Sequence, residues 1–186
     1  MLLDRAGLRH AFELLDAELG RMGVRADVFV VGGAAMAMAY DARRATRDVD
    51  AVFVPSAEVR LAAQRIATEL GLDPGWLNDG AKAYVPGDDP SAVQVYEGQH
   101  LQVAAASPRL LLAMKLLAAR VERDTDDIVA LYALCGFTTA DDGLRLVTEA
   151  YPSYVIAPRT RFLLEELYPP HRAPTVEQDR DTGLGL

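Results

Sequence analysis

The apolar run from Asp27 to Val31 stops on Gly32-Gly33, and further along, inside a second apolar run, stand Asp48-Val49-Asp50. No other stretch constrains the fold as much. The order reads as a short buried strand, a glycine turn, a short helix of small residues and methionines from Ala34 to Tyr40, then Arg44-Ala45-Thr46-Arg47 leading into a strand over 48–54. Side chains alternate faces along a strand, so Asp48 and Asp50 are expected on one face, with backbones about 7 Å apart, while Val49 and Ala51 turn to the core. Two carboxylates projecting together repel unless a cation or strong donors sit between them. A hard divalent ion such as Mg²⁺ takes oxygen ligands of this kind, and a metal pair can clamp the attacking and leaving oxygens of a phosphoryl transfer. Glycines between a strand and a helix start let backbone N–H groups approach a phosphate closely. Arg44 and Arg47 add positive charge at the same edge, and Thr46 can bond a phosphate or brace the loop. Taken singly, each feature has a plainer reading: a turn, a solvated strand end, a solvated charge cluster. The order of all of them is far more specific.

The rest of the chain supplies a frame. Leu8, Phe12, Leu15, Leu19 and Met22 recur at spacings of four and three, one face of an amphipathic helix with Asp4 near its start. Ser56 is expected to cap a helix that closes at Gly71. Residues 73–91 read as loop, anchored by Trp76. Strands are expected over 92–96 and 100–105 as a hairpin, after which strand signals stop. Ser107-Pro108 opens the first of four helices, at 108–121, 124–134, 140–150 and 159–167. The expected organisation is an α/β core over 1–106, a helical region over 107–168 and a disordered tail over 169–186.

Hydrophobic residues make up 51% of the chain and charged ones 25%, enough apolar surface for a real core. No apolar run is long enough to span a membrane, and Met1-Leu2-Leu3-Asp4-Arg5 lacks the basic-then-apolar order of a leader. A single cysteine, Cys135, cannot form an internal disulfide, so a reducing cytoplasm is the expected compartment. The net charge of −8 argues against a general nucleic-acid-binding surface. Arginine dominates the cations, and the only lysines are Lys82 and Lys115.

Val30-Val31-Gly32-Gly33 followed by Arg44-Ala45-Thr46-Arg47-Asp48-Val49-Asp50 resembles the signature of the DNA polymerase beta-like nucleotidyltransferase superfamily. Farther on, Ser107-Pro108, Leu111 to Lys115, Ala118-Ala119-Arg120 and Arg123-Asp124-Thr125-Asp126-Asp127-Ile128 resemble a segment of AbiEii-type toxin nucleotidyltransferases and their minimal relatives. The resemblance implies an α/β (α+β) fold, a small mixed sheet flanked by helices with a C-terminal helical bundle. It implies that Gly32 and Gly33 cradle nucleotide phosphates, that Asp48 and Asp50 hold Mg²⁺, and that Lys115 meets the triphosphate. It places Asp124 and Asp127 near Lys115, with Asp127 the candidate for a catalytic role; Arg44, Thr46 and Arg47 complete the nucleotide-binding set. The implied activity is transfer of an NMP from an NTP to an acceptor hydroxyl on a tRNA 3′ end, a protein side chain or a small molecule. An antitoxin partner is implied for the toxin-like branch.

One departure stands out. Complete members often carry a third carboxylate on a later strand, and the strand candidate His100 to Ala105 offers Gln102 instead. An amide cannot act as a base for the incoming hydroxyl. Either Asp124 or Asp127 supplies the third acid, or the chain is a nucleotidyltransferase-fold binding or regulatory protein with degraded catalysis. A dinucleotide-binding module is a poorer reading, because Gly32-Gly33 lacks the Gly-x-Gly-x-x-Gly spacing.

Overall fold

The computed structural model describes residues 1–118 and 120–169. A two-residue strand β1 (Leu3–Asp4) leads into helix α1 (Arg5–Arg21). Asp4 caps it, its Oδ1 accepting from the Gly7 N–H at 2.8 Å. Strand β2 (Ala26–Val30) ends at the glycine turn, which opens α2 (Gly32–Ala35); the chain continues as a π-helical turn, Met36–Tyr40. Then come β3 (Ala45–Thr46), β4 (Val49–Val54) and α3 (Ser56–Leu70). Ser56 is the first residue of α3 and not its cap; the cap position is Pro55, with no side-chain hydrogen bond. The helix closes at Gly71 in the left-handed conformation, as expected.

The segment read as loop over 73–91 carries more structure than its composition suggests. It contains strand β5 (Leu77–Asn78) and a 3₁₀ turn, Lys82–Tyr84. Trp76 is buried as its anchor, the indole N–H donating to the Ala63 carbonyl at 3.1 Å. The hairpin follows as β6 (Val93–Glu97) and β7 (Leu101–Ala105), and then α4 (Pro108–Ala118), α5 (Val121–Cys135), α6 (Ala140–Ala150) and α7 (Pro158–Leu167). Ser107 caps α4 through its Oγ, which accepts from the Leu110 N–H at 3.3 Å. The tail expected from 169 onward lies, from 170, outside the described residues.

Five strands form one mixed sheet in the order β5-β4-β2-β7-β6, while β1 and β3 pair separately. Strand β2 runs antiparallel to β4 and parallel to β7. One face of the sheet is apolar and buried: Val28 and Val30, Val49, Ala51 and Phe53, Leu101, Val103 and Ala105. Helices α1 and α3 pack on each other and reach β7 and β4. The α1 face Leu8, Phe12, Leu15 and Leu19 is fully buried, each such side chain contributing about 1.5–3 kcal/mol relative to exposure. The opposite face carries the odd set: Asp27, Phe29, Asp50, Val52, Val54, Gln102 and Ala104, all half-buried or exposed. That open face positions the candidate site. Among the described residues no helix is long and apolar enough to cross a membrane.

Candidate active site

Strand β4 runs into the sheet from the loop that carries Arg44, Ala45, Thr46 and Arg47, and Asp48 is the last residue of that loop rather than the first of the strand. Asp48 is exposed and Asp50 half-buried. The Val31 N–H donates to the Asp50 carbonyl at 2.9 Å, which sets the glycine turn directly beside Asp50. Gly32 has φ +63, a conformation side-chain-bearing residues pay to adopt, and a Cβ there would stand 3.4 Å from Asp50 Oδ2. At Gly33 a Cβ would stand 3.2 Å from Thr46 Oγ1. The turn is thus a cradle whose open side faces the carboxylates. Thr46 braces the loop, its hydroxyl donating to the Asp48 carbonyl at 2.9 Å. Arg47 is exposed beside Asp48.

Burial, and then the neighbouring Asp48 charge, push the Asp50 carboxyl above its ordinary value. A hydrogen bond from Asn78 and the charges of Arg120 and Arg123 pull it back down. Asn78 arrives because β5 lies parallel to β4 with Asp50 and Asn78 in register. Its Oδ1 accepts from the Gly80 N–H at 3.0 Å, which leaves the amide N–H₂ as the donor toward Asp50. Sequence reading missed Asn78 because strand β5 is too short to show a period. Arg120 and Arg123 lay in the quoted helical motif and were assigned no role there.

Asp48 and Asp50 supply the oxygen donors a hard cation takes. The ionised pair is mutually repulsive, and the space in front of Asp50 is kept clear by Gly32. These two residues would hold a hard cation such as Mg²⁺. Among the described residues no group of three or more His, Cys, Asp or Glu side chains is arranged to hold a metal.

The third position is not where the sequence suggested. Asp27 pairs with both Val54 of β4 and Gln102 of β7. Gln102 therefore lies level with Val54, at the far end of β4 from Asp50, a separation of about 13 Å at the strand rise. Its side chain is engaged there, Oε1 accepting from Gln94 Nε2 at 2.8 Å. On the same open face, the β7 residue next nearest to Asp50 is Ala104, level with Val52 through Phe29. The expectation that Gln102 faces the aspartate pair is corrected accordingly; register across a parallel strand pair cannot be read from local sequence.

Lys115, Asp124 and Asp127 form a cluster of their own. Lys115 Nζ lies 2.8 Å from Asp124 Oδ1 and 2.5 Å from Asp127 Oδ2, and the three side chains are only 10–13% exposed. Arg44 pairs with the other oxygen of Asp127 and lies 3.6 Å from Asp41. The cluster joins α4 and α5 to the loop entering Asp48. Asp126 is exposed and outside it. A cavity of about 640 Å³ lies elsewhere, between α1 and β6 against Arg5, Arg9 and Met38, and neither Asp48 nor Asp50 lines it.

An α/β sheet with a glycine turn set against an Asp-x-Asp strand, followed by a helical bundle, defines a nucleotidyltransferase-like protein. The chain belongs to the family DUF6036, nucleotidyltransferases of unknown function, whose model matches residues 7–138. That match spans the glycine turn, both aspartates and the Lys115–Asp127 segment. A solved structure, an antigenic nucleotidyltransferase-like protein from Paracoccidioides brasiliensis, is similar over 90% of this chain and 89% of its own, at 15% identity and a TM-score of 0.41. None of the curated proteins compared matches the sequence.

Proposed function

We propose that the protein is a Mg²⁺-dependent nucleotidyltransferase that moves an NMP from an NTP to an acceptor hydroxyl. The observation that carries this reading is the Asp50 carboxylate facing the Gly32 cradle, with Asp48 beside it. The acceptor oxygen attacks the α-phosphorus, the bond to the bridging oxygen breaks, pyrophosphate leaves with the electron pair, and the hydroxyl proton passes to solvent. Asp48 and Asp50 would hold the metal, which supplies charge neutralisation at the reacting phosphate. The chain's own share is positioning. Gly32 and Gly33 admit the phosphates, Asn78 orients Asp50, and Thr46 fixes the approach of Asp48. Such preorganised positioning is the main device of phosphoryl-group transfer.

The resemblance to AbiEii-type toxins supports an acceptor at an RNA 3′ end and a neutralising antitoxin; the net charge of −8 supports a protein side chain or small molecule instead. Incubating the purified protein with each α-labelled NTP, Mg²⁺ and either total tRNA or cell lysate separates these by where the label lands. Calorimetry of Mg–NTP binding to the Asp48→Asn/Asp50→Asn variant tests the site directly. Lost binding with an unchanged fold is expected, and unchanged affinity sinks the metal site.

A second reading, a binding or regulatory protein on the same fold, is favoured by one observation: β7 presents Ala104 and no acid toward Asp50. It predicts Mg–NTP binding without label transfer to any acceptor. An Asp127→Asn variant that keeps full transfer would remove Asp127 as the substitute acid.

A further inference from the structure

A second concave site is built without the aspartates. The cavity between α1 and β6, about 640 Å³, lies in the range of roughly 300–1,000 Å³ that small-molecule sites occupy. Its apolar wall is Met38 of the π-helical turn with Val93 and Val95 of β6, an edge strand of the sheet. Val93 is 41% exposed, so this wall is open to an occupant rather than sealed by packing. The facing wall is the first turns of α1, where Arg5 and Arg9 stand at i and i+4 on one face of the helix.

The cations of that wall outweigh its carboxylates. Asp4 also lines the cavity, but one of its oxygens is taken by the Gly7 N–H in capping α1. Arg5 is half-buried, and its Nε donates to the Ala37 carbonyl at 2.9 Å, which pins the side chain against the π-helical turn. Among the described residues no carboxylate lies within ion-pair distance of it. Arg9 lies 3.6 Å from Glu13, both side chains being more than half exposed, a solvent-screened pair that an anion can displace at little cost. A guanidinium held in place by one neutral bond, next to an apolar wall, suits a ligand with an oxyanion head and an apolar body.

We propose that this cavity is a second ligand site, for an organic anion of small-molecule size whose oxyanion head sits on Arg5 and Arg9 and whose body lies on Met38, Val93 and Val95. Nothing in this site depends on the transferase reading. Its walls nonetheless run into the segments that frame the aspartates. Asp4 pairs with Ala45 and Leu3 with Thr46 across β1 and β3, and the Thr46 hydroxyl holds the Asp48 carbonyl. The π-helical turn, a departure from the α-helix that recurs at functional sites, continues directly from α2 and its glycines. An occupant therefore braces both segments.

The test titrates the full chain with anilinonaphthalene sulfonate, read by fluorescence. Phenylnaphthylamine, the same ring system without the sulfonate, is the control. Wild type should bind the sulfonate saturably and about 10-fold or more tightly than the uncharged amine. Arg5→Gln/Arg9→Gln should weaken sulfonate binding about 10-fold or more, as expected for loss of charge-assisted contacts, and leave the amine unchanged. Ala6→Phe, at an exposed helix position lining the cavity, should abolish binding of both. Saturating sulfonate should slow amide hydrogen exchange over residues 36–48 in wild type and not in Ala6→Phe. The proposal is overturned if folded wild type shows no saturable sulfonate binding, or if Ala6→Phe keeps wild-type affinity. It is equally overturned if the arginine double variant binds the sulfonate as wild type does, or loses both probes alike. Should the double variant not fold, Arg9→Gln alone, at an exposed position, decides by the same comparison. Unchanged exchange over 36–48 in the bound state overturns the link to the aspartate loop.

Discussion

Gly32 shows how much one residue is asked to do. Its φ of +63 is a backbone state that costs a side-chain-bearing residue about 1–2 kcal/mol, and its missing Cβ keeps clear the space before Asp50. Gly23 offers the matching control, with φ +68 and nothing within 4 Å of its would-be Cβ. Gly32→Ala and Gly23→Ala should therefore lose similar stability in denaturant titrations, about 1 kcal/mol each, but only Gly32→Ala should weaken Mg–NTP binding. Equal, wild-type-like binding by both variants would mean the cradle is a turn and nothing more. The glycine pair and both aspartates were legible because their chemistry is local: a turn, a two-residue spacing, a charge repulsion. Asn78 was not, since its relevance comes from the register of β5 against β4, which two residues of strand cannot announce.

At the scale of elements, α1 and α3 are joined by more than apolar contact. Glu18 of α1 accepts from Arg65 of α3 at 2.8 Å and from Arg21 at 2.6 Å, and its side chain is 9% exposed. The Arg65 hydrogen bond first, then that of Arg21, holds the Glu18 carboxyl below its ordinary value of 4.5, against the opposing pull of burial. A carboxyl depressed by folding stabilises the fold at every pH above its unfolded value; that stabilisation drains away as pH falls below 4.5 and through the lower folded value. Glu18→Gln should then lower Tm at pH 7, and the gap to wild type should close on acidification below 4.5. A gap that stays constant with pH would show that the pair contributes shape and no charge. Elements of this size were readable from sequence: the α1 stripe, the Ser107 cap and the Gly71 stop all follow local rules. The break between α4 and α5 was displaced, and β1 and β3 were missed, because an apolar period runs on past a helix end and a two-residue bridge has no period at all. Gln102 failed for a longer-range reason, the stagger of β7 on β2.

For the whole molecule, the question is what makes a sheet half and a helical half act as one. Among the described residues three polar contacts cross between them besides the apolar core: Arg44 with Asp127, the Ser107 N–H donating to Asp89 Oδ2 at 2.7 Å, and the Tyr151 hydroxyl donating to the Tyr84 carbonyl at 2.7 Å. The first is the only one of these three tied to the aspartate loop, since Arg44 lies in the run that ends at Asp48. Asp127 is also held by Lys115, so removing it leaves Lys115, whose side chain is only 13% exposed, with Asp124 alone and Arg44 with Asp41 alone. Asp127→Ala should cost about 3 kcal/mol in urea unfolding, the low end for breaking a buried pair. Arg44→Ala should cost less, because that side chain is 32% exposed and water can replace part of the bond. The double variant should fall short of the sum of the two by about 1 kcal/mol or more, since both remove one shared interaction. If the halves are one cooperative unit, each variant unfolds in a single transition with an unchanged slope. A biphasic curve in Arg44→Ala, with the sheet and helical halves melting apart, would show that this contact couples them. Strict additivity at a wild-type slope would show that Arg44 and Asp127 contribute separately and that the apolar interface alone holds the aspartate loop to the helices.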